Sequence, residues 1–541
     1  MSRAFLLGLL LVSLWANAKP SILINHSGYL SQQDGSFYGD KDQRWQLRAL
    51  GSSEVLAQLS TDEKGHGQLP KNLKPGWYQL SHGDTEVTLS VGLDGPLQTL
   101  KLLLNAYQYQ HAGKALFDPV TGIRRPPAHL KPAVAAHQDS YTNKGQAWDA
   151  SGGWYDAGDY GVYVATTAIT AARLLEAANV LETSQLELAK QLRSEARVGL
   201  DWLLKMQRSD GAFYRKIGGA NWPPLIPPHQ DTQPRYLYGI STPDSAKAVA
   251  VLALASRVMD DTQAQSRYLR AAQLGWQYLN TQAQQKIDWH QGDDGGTGPY
   301  MFNQWDQQSS LTHDVDDRFW AAAELFLSHP SDSLQRFLET HLPEQIVLFE
   351  WKDPRALGVQ HLLQSGQLPK LNERLRQLLL ERCNTLREHA LKNPYSVANS
   401  RFIWGSNKMV AEQGILLAQC QRLAPQQDYL SWAWRQWHYL AGLNPFGIAY
   451  ITGLGSNSVQ NLHHIWGRAV GFVPAGMMVG GPNQDSQANI APKGLGMLSY
   501  VDDAKDYSVN EFAIDYNGAA IGLLAELISQ QSPIQEKAAA N

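Results

Sequence analysis

"GGWYDAGDYGVYVATTAITAARLLEAANVL", Gly152 to Leu181, changes character halfway along. Its first half sets Asp156 and Asp159 three residues apart among glycines and aromatics, with no basic residue between them. Glycines break regular structure, so this half reads as a loop. From Val164 onward, apolar residues recur every three or four positions, which predicts a helix apolar enough to be packed on two sides. The pattern returns in "LELAKQLRSEARVGLDWLLKMQ", "SAKAVAVLALASRVM", "DRFWAAAELFLSHP", "KMVAEQGILLAQCQRL", "DYLSWAWRQWHYLAGL" and "GAAIGLLAELIS", among others. Between these segments lie long loops rich in Gly, Pro, Trp and Asn, at 136–160, 207–240, 284–318 and 444–516. Loops of that length are uncommon in a compact domain unless they are functional. An all-α barrel whose loops gather at one end accounts for both features.

Outside the helical region the texture is different. From Ser21 to about Gly92 short runs alternate between apolar and polar residues, as in "RWQLRAL" and "TEVTLSVG", with turn residues between them. That predicts a small antiparallel β-sandwich. A chain of 541 residues has room for this domain and a larger one. The net charge of -4 provides no basic surface for nucleic acid. The opening "MSRAFLLGLLLVSLWANAKP" has the charged start, apolar core and Ala16-Asn17-Ala18 cleavage signal of a secretory signal peptide, residues 1–18. A secreted or periplasmic protein follows, with no membrane span, since no later stretch approaches the ~20 apolar residues needed. Residues 531–541 read as a short disordered tail. Cys383 and Cys420 are the only cysteines; a single disulfide and two buried thiols are both open readings.

Motifs for nucleotide binding, zinc proteolysis and serine-elbow hydrolysis are absent from the sequence. A third acid stands in "YSVNEFAIDYNGAA", where Glu511 lies beside Phe512 ahead of the last apolar helix. Taken singly, each acid has a plain reading as a turn, cap or first-turn residue. Together, acids on two distant loops fit glycoside hydrolysis. One carboxylic acid protonates the leaving oxygen while a carboxylate across the sugar activates water or attacks the anomeric carbon.

"GGWYDAGDYGVYV" closely resembles the signature of glycoside hydrolase family 9, the inverting cellulases, whose DAGD loop carries the catalytic base. "LDWLLKMQRSDGAFY", "DDRFWAAAELF", "WGSN", "LNPFGIAYITGLG", "GMMVGGPN" and "YSVNEFAIDYNGAA" extend the resemblance in family order across roughly residues 95–530. The resemblance implies a mainly α fold: an (α/α)6 barrel over residues 95–530 after an immunoglobulin-like domain over 19–94, with "ILINHSGYL" similar to its opening strand. It implies Asp159 as general base, Asp156 sharing or orienting the water, and Glu511 as general acid. Aromatic side chains would form sugar subsites, with Trp154, Trp305, Trp404 and Tyr507 as candidates. No catalytic cofactor is implied. Family members often hold structural calcium, for which "QGDDGGTG", Gln291 to Gly298, offers oxygen ligands.

One departure bears on substrate. Where the family has a His-His-Arg run, this chain has His463, His464 and Ile465, with Arg468 nearby. A displaced guanidinium does not reproduce the same fork of donors, and losing a charged donor at that subsite costs about 1.5–3 kcal/mol. A β-1,4-glucan cut by an endoglucanase acting as a monomer is the first expectation. The alternatives are an exo-β-glucosaminidase on chitosan oligosaccharides, with the acids of Asp314–Asp317 facing the amino group, and a carbohydrate-binding protein without catalysis.

Overall fold

The barrel is built from helices that have almost no polar face. The computed structural model describes residues 22–30, 35–282, 284–297, 313–347 and 353–530. The signal-peptide segment, Trp305 and the tail lie outside that range. Inner helices α2 (Val164–Leu181), α4 (Thr242–Val258), α6 (Val315–Ser328), α8 (Arg355–Ser365), α10 (Ser406–Leu423) and α14 (Ile514–Ser529) are buried along most of their length. They are rich in Ala, Leu and Gly, which let them pack on several neighbours at once. Each is backed by an outer helix with one exposed face: α1 (Gly95–Ala106) on α14, α3 (Leu186–Met206) on α2, α5 (Thr262–Thr281) on α4, α7 (Asp332–Thr340) on α6, α9 (Pro369–Lys392) on α8, and α11 (Tyr429–Leu440) on α10. Two short helices, α12 (Ile465–Val470) and α13 (Tyr507–Asn510), lie in the long loop before α14. This is the (α/α)6 barrel that the helical periodicity and the family resemblance implied.

Charges inside the barrel are paired. Arg173 on α2 bonds Glu412 on α10, and His361 on α8 bonds both Glu176 and Glu324. Glu324 is held down to about 2 by His361 and Arg257 even though burial opposes its charge. Cys383 on α9 and Cys420 on α10 form a disulfide, which settles the question left open by the sequence. Their sequence separation of 37 gives a loop-closure stabilisation of about 4 kcal/mol. Reduction is therefore expected to lower the denaturant midpoint markedly. An unchanged midpoint after reduction shows that the bridge contributes nothing.

The N-terminal strands are β1 (Ser36–Tyr38), β2 (Arg44–Ala49), β3 (Val55–Ser60), β4 (His66–Gln68), β5 (Gly76–His82) and β6 (Thr85–Val91). They form a four-stranded antiparallel sheet in the order β3-β2-β5-β6 and a β1-β4 pair, closed over Phe37, Trp45, Leu47, Leu80 and Leu89. This fits the expected immunoglobulin-like domain. The stretch 22–30 differs from its expected role as an opening strand, because only isolated bridges at Leu23 and Tyr29 pair it to the sheets. It turns at Gly28 and docks on the barrel instead. Trp437 Nε1 donates to Ser27 Oγ at 2.8 Å, Asn25 Nδ2 meets His438 Nδ1 at 2.9 Å, and His26 N donates to the Ala441 carbonyl at 2.8 Å. Backbone bonds hold its two ends to the sheets, Leu23 to Tyr38 and Tyr29 to Ser90, while the bonds to the barrel fix the turn between them.

Beyond a β7 (Leu116–Phe117) and β8 (Arg124–Arg125) hairpin, a second sheet roofs one part of the barrel. It contains β9 (Ala133–Ala135), β10 (Ala147–Trp148), β11 (Val162–Tyr163), β12 (Tyr214–Gly219) and β13 (Arg235–Ile240), in the order β10-β9-β13-β12-β11. β11 continues the loop of Asp156 and Asp159 straight into α2. The sheet therefore positions the acids over the N-terminal end of an inner helix.

Candidate active site

Backbone hydrogen bonds stitch three distant loops together. Asp156 N donates to Gly161 O at 2.9 Å, which closes the DAGD turn on itself. Ile514 N donates to Asp156 O at 2.8 Å, Ile465 N to Gly158 O at 2.8 Å, and Gly480 N to Glu511 O at 2.9 Å. Gly158 N donates to Glu511 Oε1 at 3.2 Å, so the two acid-bearing loops touch directly. Gly158 has no room for a side chain: a Cβ there would lie 2.6 Å from His463 O and 2.9 Å from Glu511 Oε1. The structure thus brings Asp156, Asp159 and Glu511 to one place, 352 residues of chain notwithstanding between the last two by number.

The environments of the three acids differ. Burial, then the neighbouring Asp515, push Asp156 up to about 8, against a bond from the Thr166 hydroxyl to Oδ1. At neutral pH its carboxyl is protonated. Asp159 is also raised by burial, but Gly161 N donates to its Oδ1 at 2.7 Å and the charges of Arg235 and Lys216 pull it back down. Glu511 is raised well above the usual range by burial and by Asp159 and Asp156. Both acids are raised, but two cations oppose the rise at Asp159 whereas the aspartates add to it at Glu511, which is the order that a general base and a general acid need.

A supporting layer sets the geometry. His464 Nδ1 accepts from Gly467 N at 3.0 Å, which leaves Nε2–H to donate to Gln110 Oε1 at 3.0 Å. Gln110 in turn donates to the carbonyls of Tyr155 and Ala157. Burial lowers His464 to about 3, so it is a neutral structural brace. Beneath Asp156, Lys408 bonds Asp515 at 2.7 Å. Sequence reasoning missed Gln110, Lys408, Asp515 and Arg235. A Lys on one apolar helix and an Asp on another were a usable signal, because buried charges require partners. Arg235, in a polar strand after a proline-rich loop, gave none.

The expected sugar-contacting residues divide. Trp404 and Tyr507 are partly exposed, with ring centroids 5.7 Å apart. Tyr507 also faces His463 at 6.1 Å. His463 Nδ1–H donates to Ala504 O at 2.8 Å, leaving Nε2 as the other polar ring atom beside Glu511's strand pairing. Arg468, on α12, makes no side-chain hydrogen bond among the described residues and stands close enough to His463 to lower its pKa. Trp154 must be removed from the set. It is fully buried, donates to Glu195 Oε1 at 2.7 Å and packs so closely on α3 that a Cβ on Gly199 would lie 2.2 Å from its ring. Trp305 lies outside the described residues.

The acids of "QGDDGGTG" are engaged with protein groups. Asp293 bonds Arg215 and His137, and Asp294 bonds Lys216 and Trp289. Among the described residues no three His, Cys, Asp or Glu side chains are placed to hold a metal. No described helix is long and apolar enough to cross a membrane.

Comparison with known proteins agrees with this geometry. The cellodextrinase of Butyrivibrio fibrisolvens is 25% identical over 496 residues, covering 84% of this chain and 88% of that protein. A xyloglucan-specific endo-beta-1,4-glucanase of Bacteroides ovatus is 27% identical over 497 residues, covering 84% and 82%. The crystal structure of a metagenome-derived glycoside hydrolase family 9 endoglucanase superposes with a TM-score of 0.87 at 31% identity, covering 94% of this chain and 99% of that one. The model of glycosyl hydrolase family 9 matches residues 98–524. Since that span takes in both carboxylate loops and reaches into the last inner helix, this chain belongs to glycosyl hydrolase family 9.

Proposed function

We propose that this glycoside hydrolase cleaves β-1,4-glucans or their soluble oligosaccharides with inversion at the anomeric carbon, as an endo-acting enzyme. The observation that carries the reading is the convergence of Asp159 and Glu511 on two touching loops, both raised by burial, with two cations opposing the rise at Asp159 and two aspartates adding to it at Glu511. Water attacks the anomeric carbon on the face opposite the leaving oxygen and gives its proton to Asp159. Glu511 gives its proton to the leaving oxygen, so the net protonation of the site is conserved. Protonated Asp156 fixes the water's orientation. The relatives' names, cellodextrinase and endo-beta-1,4-glucanase, support the substrate class. The leader-like N-terminus and the disulfide support a secreted or periplasmic location.

The test is product analysis on carboxymethylcellulose, mixed-linkage glucan, cello-oligosaccharides and chitosan oligosaccharides, with products separated by size and their anomers followed by NMR. Mixed oligomers appearing first as α-anomers support the reading. Glucosamine alone from the chitosan series overturns it. Against the glucosaminidase alternative stands Asp317, which is fully buried and already bonded to Lys247 at 2.5 Å. An internal ammonium occupies the role an amino sugar would play there. A role limited to carbohydrate binding has no use for an acid and a base so arranged.

The same geometry sets the pH profile. Activity rises as Asp159 ionises and falls as Glu511 loses its proton, so a bell is expected with both limbs above the ordinary carboxyl range. Arg235→Gln removes a charge that favours ionised Asp159, and its acid limb is expected to move to higher pH. An acid limb that stays in place shows that Arg235 does not tune the base.

A further inference from the structure

The first two turns of α4 and the start of α6 carry a charge cluster that the catalytic chemistry does not use. α4 leaves directly from β13, which lies in the same sheet as β11, so it begins at the end of the barrel that holds Asp159. Ser241 caps it, its hydroxyl accepting from Asp244 N at 3.2 Å. Asp244 and Lys247 stand on these turns, and Asp316 and Asp317 open α6, the inner helix packed beside α4. All four side chains are buried. Charges so placed need partners of opposite sign.

The pairing converges on one ammonium. Lys247 Nζ meets Asp317 Oδ1 at 2.5 Å. Burial opposes its charge, yet Asp317, Asp244 and Asp316 together raise it above the ordinary lysine value, so it remains an ammonium at neutral pH. Asp316 links the cluster onward. Burial and Asp353 push it up to about 6, while Lys247 and His313 pull the other way, His313 Nδ1 meeting its Oδ1 at 3.2 Å. Asp353, just ahead of α8, is bonded to Arg355 at 3.0 Å. Lys247 thus ties α4 to α6 from among three carboxyls.

Structural calcium, which the family resemblance implied, does not fit these residues. The ion gathers about six to eight oxygens, several of them from carboxylates. Here the carboxyls of two helix starts already converge on a side-chain nitrogen, whose charge repels a second cation. The acids of 291–298 are likewise bonded to buried cations, Asp293 to Arg215 and Asp294 to Lys216. We propose that Lys247 is a resident cation that does for α4 and α6 what a structural calcium ion does between acid-bearing elements, so that this end of the barrel needs no divalent ion. An ammonium on the chain is not lost to chelators or dilution. The inference rests on the packing of the barrel and is independent of which glycan is cut.

The experiment is the thermal midpoint of purified wild type, Lys247→Met and Lys247→Glu, each in EDTA, in millimolar calcium chloride and in millimolar magnesium chloride. Wild type is expected to keep one midpoint in all three media. Lys247→Met removes the ammonium and leaves the carboxyls facing one another, so its midpoint should fall by about 5 °C in EDTA. Lys247→Glu puts further oxygen donors where the cation was. It should be the least stable of the three in EDTA and should recover with calcium and not with magnesium, and isothermal titration should detect calcium binding to this variant and none to wild type. A wild-type midpoint that falls in EDTA and returns with calcium overturns the proposal, as does a Lys247→Met midpoint equal to that of wild type. A folded Lys247→Glu that binds no calcium overturns the claim that the ammonium stands in the place of the ion. If Lys247→Glu does not fold, the wild-type and Lys247→Met midpoints decide.

Discussion

Asp159→Asn is expected to lower kcat on β-1,4-gluco-oligosaccharides by about 10³-fold, with KM changed less than threefold. The substitution is nearly isosteric, and the amide oxygen can still accept from Gly161 N, which bonds Asp159 Oδ1 at 2.7 Å. What disappears is the ability to take a proton from water. Asp156 cannot replace it, for a reason visible in its surroundings. Its carboxyl is held protonated to about pH 8 by burial and by Asp515, and Thr166 already occupies Oδ1. Asp159 is instead faced by Arg235 and Lys216, which favour the ionised form. If Asp159→Asn retains a tenth of wild-type kcat while Asp156→Asn loses a thousandfold, the two aspartates have been assigned the wrong way round. Steady-state rates on cellotetraose or longer, with circular dichroism to check folding, distinguish these outcomes.

How much of this was open to a sequence reader depends on the kind of interaction. The barrel was legible because its inner helices must be apolar on every face, and "VATTAITAARLLEAANVL" cannot be anything else at that length. The β-domain was legible through alternation, as in β5, where Tyr78 and Leu80 point inward between more exposed neighbours. The acids stood out through the glycines around them, and Gly158 explains why: the loop must come within van der Waals contact of His463 and Glu511. Trp154 was misread because the same aromatic residue serves cores and sugar sites, and only burial separates the two. The stretch 22–30 was misread because its partners, Trp437 and His438, lie more than four hundred residues away. Arg235 was missed for a related reason. Nothing local in "RYLYGI" tells that its first residue will bond the Tyr160 carbonyl, one residue from the base.

Glu511→Gln provides the complementary result, because its loss should depend on the leaving group. On glucans and cello-oligosaccharides, whose leaving oxygen is an alkoxide unless protonated, kcat is expected to fall by about 10³-fold. On an activated aryl cellobioside, whose phenolate departs without a proton, the loss should be less than about tenfold. The local structure tolerates the change: the glutamine oxygen can still accept from Gly158 N, which sits 3.2 Å from Oε1, and the backbone pairing with His463 and Gly480 does not involve the side chain. The pH profile gives a second reading of the same group. Glu511 is raised by burial and by both aspartates, and the alkaline limb of the wild type reports its deprotonation. In the variant, measured on the aryl substrate, that limb should vanish while the acid limb from Asp159 remains. The acid limb should stay nearly where it is, because Glu511 is still neutral while Asp159 ionises and the amide that replaces it is neutral too. Equal losses on aryl and natural substrates would assign Glu511 to binding or positioning, and the proton for the leaving oxygen would have to come from another group in the cleft.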